Sequence, residues 1–179
     1  MSEPAKAEKM RKTEEVYNDF KRKSFPDVMD VDAQTLHSLL ATDSSKLMLI
    51  DVRTPEEQQV SRIPGPCMTA EEFDQRKADF KHYTIVTYCT VGARSGKYAN
   101  VLRQDGFDVM NLKGSIVGWT QQGYPLISES GEATKRVHVF GDQWALQGEG
   151  YEPVTFGKAK AAVEGVRTVL PSWMGGTKP

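Results

Sequence analysis

Short apolar runs separated by helical segments are the feature that most constrains the fold of this chain. Leu47–Asp51 (LMLID) and Thr84–Tyr88 (TIVTY) are continuous runs, and Phe107–Leu112 reads as a third short strand. Continuous runs of this length are typical of strands buried on both faces of a parallel sheet. Because strands and helices alternate, the sequence predicts an α/β domain with a mainly parallel sheet.

Helix starts between these runs support the same assignment. Asp32 precedes a helical pattern and can cap its free amides. Thr54 is followed by proline at the first helical position and by Glu57 three residues on, which is a capping box with a proline start. Helices are also predicted for 95–105, with Ser95 as the cap, and for 117–122, each followed by glycine.

Both ends of the chain extend beyond this pattern. Residues 1–23 are charged, yet five side chains can share one helical face, which predicts a docked helix whose first turns are disordered. A polar linker at 128–136 precedes a predicted strand at 137–140. A last helical face runs from Ala159 to Leu170. Some fifty residues make a poor independent core, so this extension should pack on the domain or on a partner.

The overall charge and the cysteine content exclude several classes of protein. The 179 residues carry a formal net charge of −1 with a pI near 6.3, so no global basic field attracts nucleic acid. No apolar run is long enough to cross a membrane, and the first residues lack the apolar core of a secretory signal. Two cysteines are too few for a disulfide scaffold. We therefore expect a cytoplasmic protein that binds neither nucleic acid nor membrane, with organellar targeting left open.

The segment YCTVGARSG, residues 88–96, has the composition of a reactive-cysteine loop. Cys89 follows a predicted strand directly, and a helix is predicted to follow the loop, so backbone amides and the helix dipole can converge on one point. Such a cradle stabilises a thiolate, which is the nucleophilic form of cysteine. A buried cysteine often only fills space. Gly92 and Arg94, three and five residues on, favour the reactive interpretation.

Residues 26–127 resemble the rhodanese family of single-domain sulfurtransferases. The resemblance rests on five segments in order: FPDV with the helix from Asp32, LIDVRTPEEQ, RIPGP, YCTVGARS and LKGSIVGWTQQGYPL. It implies a three-layer domain whose central, mainly parallel sheet has five strands flanked by helices. Residues 1–25 would then be an N-terminal helical or flexible segment, and 128–179 a linker and C-terminal extension.

The resemblance also implies a chemistry. Cys89 would take a sulfane sulfur from a small donor such as thiosulfate and pass it, through a persulfide, to cyanide, a thiol or a protein acceptor. No metal or organic cofactor would be needed. The persulfide would lie within the active-site loop, which consists of Thr90, Val91, Gly92, Ala93, Arg94 and Ser95.

Several positions depart from the family pattern. Thr90 stands where the family often has arginine, and Val91 is apolar, so the loop lacks a cation that could attract thiosulfate. Arg62 replaces the usual histidine of the proline-glycine turn and could compensate from the rim. Gly114 keeps the first glycine of a Gly-Gly pair, and Ser115 replaces the second.

Other polar residues are expected to have structural roles. The resemblance implies that Arg53 pairs with Glu57 and that Asp51 fixes loops at the sheet edge, with acid–base catalysis by these residues as the alternative. Cys67 is expected to be a plain thiol, with a resolving role as the alternative. The histidines lack metal-ligand spacing and are expected to lie on the surface or in the core; they are His37, His82 and His138.

Two other functions stay open at this point. The related phosphatases and arsenate reductases use a loop one residue longer, Cys-x5-Arg, which surrounds a tetrahedral oxyanion, whereas Cys89 to Arg94 spans six residues. Rhodanese-like domains also serve as regulatory or protein-binding modules, usually after losing the cysteine. A sulfur carrier whose protein acceptor docks on the C-terminal extension would combine sulfur transfer with protein binding.

Overall fold

A sheet of five parallel strands forms the centre of the molecule in the computed structural model, which describes residues 3–42 and 45–156. The strands are β1 (Met29–Val31), β2 (Leu47–Asp51), β3 (Cys67–Thr69), β4 (Thr84–Tyr88) and β5 (Asp108–Leu112). Their spatial order is β1-β5-β4-β2-β3, and each neighbouring pair is parallel. The predicted α/β class and five-stranded sheet are confirmed.

Helices cover both faces of this sheet. They are α1 (Glu3–Ser24), α2 (Ala33–Thr42), α3 (Pro55–Val60), α4 (Ala70–Arg76), α5 (Ala93–Gln104) and α6 (Ser115–Gln121). Ile50 and Ile85 face a core shared with α1, α4 and α5, whereas Leu49 and Val86 face a core shared with α2 and α6. Both faces of β2 and β4 are therefore buried, which is why their sequences are continuous apolar runs.

The predicted helix starts are confirmed in part. Thr54 Oγ1 accepts the Glu57 amide at 3.4 Å, and Glu57 Oε2 accepts the Thr54 amide at 2.9 Å, so the capping box forms. Asp32 Oδ1 accepts the Thr35 amide at 2.7 Å. The capping role predicted for Ser95 is wrong, because α5 begins two residues earlier and Gly92 takes the cap position with φ +106°.

The N-terminal segment is a helix packed on the domain, as predicted. Thr13 and Tyr17 of α1 are buried, and Phe20 packs beside them. The helix already begins at Glu3, earlier than the disordered first turns that the sequence suggested. Its buried face places Tyr17 against the loop that follows β4, because a Cβ added to Gly92 would lie 2.5 Å from the Tyr17 ring.

The segment after the sheet folds back over the domain in short strands. These are β6 (Leu126–Ile127), β7 (Ala133–Thr134), β8 (Arg136–His138) and β9 (Glu152–Val154). β6 pairs antiparallel with β7, and β8 pairs parallel with β9. Val137 joins the core on the α2 and α6 face, while Val139 packs with Val91 and Val117. The predicted helical face at 159–170 lies outside the described residues.

Among residues 3–42 and 45–156, the helices are too short or too polar to cross a bilayer.

Candidate active site

Cys89 lies at the carboxyl end of β4, the edge at which parallel sheets usually form their sites. Its side chain is buried, and two hydrogen-bond donors point at the sulfur. The Gly92 amide donates to Sγ at 3.2 Å, and the Ser95 hydroxyl donates to it at 3.5 Å. The left-handed φ of Gly92 (+106°) turns that amide inward, and glycine adopts this conformation without strain.

The start of α6 fixes the backbone of the loop. The Cys89 amide donates to Ser115 Oγ at 3.0 Å, the Ile116 amide donates to the Cys89 carbonyl at 3.2 Å, and the Val117 amide donates to the Thr90 carbonyl at 3.1 Å. Ser115 has φ +49°, a left-handed conformation that a non-glycine residue adopts at some energetic cost. Its hydroxyl therefore supplies an acceptor that the glycine of the family pattern lacks.

Opposing effects act on the pKa of the Cys89 thiol. Burial tends to raise it, because an anion is poorly solvated inside a protein. The positive charge of Arg94 and the hydrogen bonds from Ser95 and Gly92 lower it. The lowering effects outweigh burial, and the pKa of Cys89 lies below the ordinary value for a thiol. The loop therefore favours an anionic sulfur.

Four side chains form a hydrogen-bonded group around the Glu57 carboxylate, and we call them the Glu57 cluster: Glu57, Thr90, Arg94 and His138. Arg94 Nη1 and Nη2 donate to the two carboxylate oxygens of Glu57 at 2.7 and 2.8 Å. The Thr90 hydroxyl accepts from Arg94 Nη2 at 3.2 Å and donates to Glu57 Oε1 at 3.4 Å. His138 Nδ1 lies 3.0 Å from Glu57 Oε1.

Glu57 is ionised in this cluster. Burial tends to raise its pKa, but the hydrogen bonds from Arg94 and His138 and the charge of Arg94 hold the pKa well below the usual range of a carboxyl group. A buried carboxylate is stable only where it is paired and hydrogen-bonded. The Glu57 cluster meets that requirement with donors from the active-site loop, α5 and β8, and the Thr54 amide, at the cap of α3, donates as well.

Arg53 pairs with Asp51, not with Glu57 as the sequence suggested. Arg53 Nε and Nη2 donate to the Asp51 carboxylate at 2.9 and 2.7 Å, and Nη2 also donates to the Ser61 carbonyl at 2.7 Å. The earlier interpretation is wrong because Arg94 occupies the Glu57 carboxylate, which leaves only the Glu57 carbonyl for Arg53 Nη1 at 3.4 Å. Asp51 and Arg53 hold the end of β2 to the loop after α3.

Cys67 lies on the other face of the sheet from Cys89. It packs with Leu49 and Tyr88, whereas Cys89 packs in the core that contains Ile50. Burial and the nearby charge of Asp51 raise the pKa of Cys67 to about 12. These surroundings favour the plain thiol of the sequence analysis over a resolving role.

Two further sequence predictions concern Arg62 and metal binding. Arg62 lines a surface cavity of about 200 Å³ beside α3, together with Pro55, Gln58, Gln59 and Glu129. Its compensating role at the rim stays a prediction. Within the described ranges, 3–42 and 45–156, histidine, cysteine and acidic side chains form no group of three or more that could hold a metal ion.

His138 is the residue that sequence reasoning missed. It was expected to be an ordinary histidine, yet β8 places it against Glu57 with a side-chain exposure of 5%. Its ring stacks on Phe156, with ring centroids 4.4 Å apart. The neighbouring Phe140 covers the Arg94 guanidinium at 4.7 Å. The polar residue within the apolar stretch VHVF was the available signal.

Comparison with known proteins gives one matching family and several relatives. The model of the rhodanese-like domain family matches residues 32–122. A sulfurtransferase of Allochromatium vinosum is 33% identical over 107 residues, which cover 58% of this chain and 99% of that protein. A probable adenylyltransferase/sulfurtransferase of Mycobacterium tuberculosis is 33% identical over 85 residues, 45% of this chain but only 22% of that protein.

Solved structures share the fold at lower identity. A thiosulfate sulfurtransferase from Pseudomonas aeruginosa matches with a TM-score of 0.53 and 21% identity, over 79% of this chain and 25% of that chain. A protein from Rhodopseudomonas palustris described as a possible tyrosine phosphatase matches with a TM-score of 0.50 and 20% identity, over 65% of this chain and 92% of that chain. At these identities the two structures establish the fold alone.

Proposed function

The chain belongs to the rhodanese-like domain family, and from that premise we propose that it is a sulfurtransferase working through a Cys89 persulfide. The family match and the sulfurtransferase relative support sulfur transfer in general. The observation that carries the finer proposal is the pair of donors, the Gly92 amide and the Ser95 hydroxyl, aimed at the Cys89 sulfur. The same donors can hold a terminal sulfur anion bonded to Sγ.

The first half-reaction takes up sulfur from a small donor. With thiosulfate, the Cys89 thiolate attacks the outer, sulfane sulfur and a bond forms between that sulfur and Sγ. The bond between the two thiosulfate sulfurs breaks, and its electron pair leaves with sulfite. The enzyme keeps a cysteine persulfide, whose negative charge the ring of loop amides and the start of α5 would stabilise.

The second half-reaction delivers sulfur to a thiophilic acceptor. Cyanide or a thiolate attacks the terminal sulfur, and the electron pair of the sulfur–sulfur bond returns to Sγ. Thiocyanate or an acceptor persulfide leaves, and the Cys89 thiolate is restored. Because the two substrates react in separate steps, the kinetics should be ping-pong.

Arg94 has a defined part in this proposal. Its charge lowers the pKa of Cys89, and Glu57 holds both terminal nitrogens of its guanidinium. A charge fixed before the reaction stabilises an anion without the reorganisation that water would need. Arg94 therefore supports the thiolate before attack and the persulfide after it.

Intact mass spectrometry tests the proposal directly. After incubation with thiosulfate, the protein should gain the mass of one sulfur atom, and cyanide should remove it with release of thiocyanate. Cys89→Ser should gain nothing. Cys67→Ser is the matched control and should behave like the unmodified protein. A folded sample that forms neither adduct nor thiocyanate would contradict the proposal, and hydrolysis of an aryl phosphate or reduction of arsenate would support the related enzymes instead.

A regulatory or protein-binding module is the second candidate, and the burial of the loop favours it. Cys89 is 2% exposed and Thr90 is 3% exposed, because α1 and the C-terminal segment cover much of the active-site loop. A binding module would capture its partner equally well with Cys89 and with Ser at that position. Partner capture that depends on a persulfide at Cys89 would instead support sulfur delivery.

A further inference from the structure

The contact between His138 and Glu57 joins the C-terminal segment to the candidate active site. The two residues are 81 positions apart, yet Nδ1 lies 3.0 Å from Oε1, and the side chains are 5% and 3% exposed. Because Glu57 is an ionised carboxylate that only accepts hydrogen bonds, His138 Nδ1 carries the proton and donates. Because both side chains are buried, this contact belongs to the protein interior and is not a transient surface contact.

His138 and Arg94 share one oxygen of Glu57. Oε1 accepts from Arg94 Nη2 at 2.8 Å and from His138 Nδ1 at 3.0 Å, while Oε2 accepts from Arg94 Nη1 and from the Thr54 amide. Oε1 also accepts from the Thr90 hydroxyl at 3.4 Å, so donors from four residues fix the position of the carboxylate. Loss of the His138 donor removes one of these contacts, and the carboxylate can then shift together with the Arg94 guanidinium that it binds.

Buried apolar contacts hold His138 in place. Val137, immediately before it, is fully buried in the core that contains Leu36. Val139, immediately after it, is fully buried against Val91 of the active-site loop. With both neighbours anchored and β8 paired to β9, the His138 ring has a fixed position.

Phe140 adds a second contact from the same segment. Its ring lies 4.7 Å from the Arg94 guanidinium, within the range of a cation–π attraction. Phe140 itself is 61% exposed, so it covers the arginine from the solvent side. Arg94 is thus held by Glu57 on one side and by an aromatic ring on the other.

From these contacts we propose that His138 is a positioning residue for sulfur transfer: it fixes Glu57, and through Glu57 it holds Arg94 beside Cys89. The proposal rests on the proposed function. It makes the segment of residues 136–156 part of the reaction centre, although the family model that matches the chain ends at residue 122. The charge of Arg94 then reaches the sulfur at a distance that His138 helps to set.

The neighbouring titratable groups define what a pH profile of Cys89 reports. Tyr17 faces the loop from α1, Arg94 from α5, Glu57 from α3 and His138 from β8. Burial and the nearby Asp30 raise the pKa of Tyr17 well above its usual value, so Tyr17 stays neutral. Arg94 stays cationic and Glu57 anionic, and a difference in the Cys89 midpoint between two variants that both lack the His138 ring therefore measures how well Arg94 is held.

The test compares His138→Asn with His138→Leu. The asparagine amide lies near the position of Nδ1 and can still donate to Glu57, whereas leucine cannot. The readouts are the pH midpoint of thiolate ultraviolet absorbance, taken against the Cys89→Ser counterpart, and the single-turnover rate of persulfide formation from thiosulfate. His82→Leu, at an exposed site, is the matched control and should change neither.

For His138→Leu we expect the thiol pKa to rise by about half a unit and persulfide formation at neutral pH to slow roughly threefold, with His138→Asn within about 1.5-fold of the parent. Equal values for all three proteins would overturn the proposal, and so would equal losses in both variants, which would indicate packing alone. Should His138→Leu fail to fold, Phe140→Leu at its exposed site should give a smaller shift in the same direction. The absorbance midpoint is measured without a sulfur donor. A shifted midpoint in His138→Leu, with no persulfide formed by the parent protein, would therefore refute the proposed function but support the role of His138 in positioning Arg94.

Discussion

Two buried arginine–carboxylate pairs lie at the carboxyl edge of the sheet, and they differ in their surroundings. Asp51 and Arg53 are two residues apart, and their side chains are 1% and 0% exposed. Glu57 and Arg94 are 37 residues apart, and the Arg94 side chain is 21% exposed. Beyond its carboxylate partner, Arg53 donates to backbone carbonyls. The Glu57–Arg94 pair instead contacts Thr90 of the active-site loop and His138 of β8.

This difference indicates what each pair does. A sealed pair of near neighbours holds the end of a strand to a loop, and its loss leaves a buried charge without a partner. A pair that water can reach and that acts on a thiol contributes less to stability but changes the chemistry of its neighbour. The two pairs therefore differ both in exposure and in partners, and the partners indicate which pair is structural and which acts on the thiol.

Removal of the sealed arginine should give the largest effect. Arg53→Met leaves the Asp51 carboxylate buried and unpaired, so the free energy of unfolding should fall by about 3–5 kcal/mol. Urea denaturation followed by fluorescence measures it. The double variant Asp51→Leu/Arg53→Met should recover most of the loss, because no buried charge remains. A loss below about 1 kcal/mol in the single variant would remove the contrast between the pairs.

The matched change in the second pair should act on the thiol. Arg94→Met should raise the pKa of Cys89 by about one unit, which makes the equilibrium constant for thiolate formation tenfold smaller. The free energy of unfolding should fall by less than it does in Arg53→Met. Thiolate absorbance against pH gives the first value and urea denaturation the second. Arg94→Lys keeps the charge and should fall in between. An unchanged midpoint in Arg94→Met would show that the arginine does not act on Cys89.

Acid should expose the contribution of Glu57. Its folded pKa lies below its unfolded pKa, so its ionised form stabilises the fold fully above the unfolded value, about 4.3, and this stabilisation is lost as pH falls toward the folded pKa. The protein should therefore be more stable than Glu57→Gln by about 1–3 kcal/mol at neutral pH, and the gap should narrow below about pH 4. Urea denaturation across this pH range measures the gap. A gap that stays constant down to pH 3 would contradict the assignment.

Ser115, at the start of α6, should give the smallest effect. Ser115→Gly relieves the strain of φ +49° but removes the acceptor for the Cys89 amide, so stability should stay within about 1 kcal/mol of the parent. Persulfide formation should slow about twofold, as expected for loss of a modest hydrogen bond. Ser115→Ala keeps the strain and should be the less stable of the two. Greater stability of the alanine variant would show that the strain is absent.

Local patterns in the sequence predicted the elements that form from neighbouring residues. The strand Leu47–Asp51 and the capping box at Thr54 follow from residues within a few positions of one another. A second capping box, with Thr69 and Glu72, starts α4 and was overlooked although its signal is equally local. The alternation of strands and helices predicts parallel pairing, but the order β1-β5-β4-β2-β3 depends on long-range packing.

The candidate site was predictable at the loop and less so around it. The position of Cys89 after a strand and the turn at Gly92 are local properties. Arg53 was assigned to Glu57 from the family pattern, and the competing Arg94 is 37 residues away from Glu57. His138 was missed for the same reason, since its partner lies 81 residues earlier. Contacts of this kind are set by the fold and leave no local pattern.

The pKa of the Cys89 thiol tests the central claim, that this loop stabilises an anionic sulfur, most directly. It is measured as the pH midpoint of thiolate absorbance in a Cys67→Ser background, with the Cys89→Ser counterpart subtracted. We expect a midpoint below the ordinary cysteine value of about 8.5, because Arg94 and the donors from Ser95 and Gly92 outweigh burial. A midpoint at or above that value would contradict it, since burial alone produces such a result.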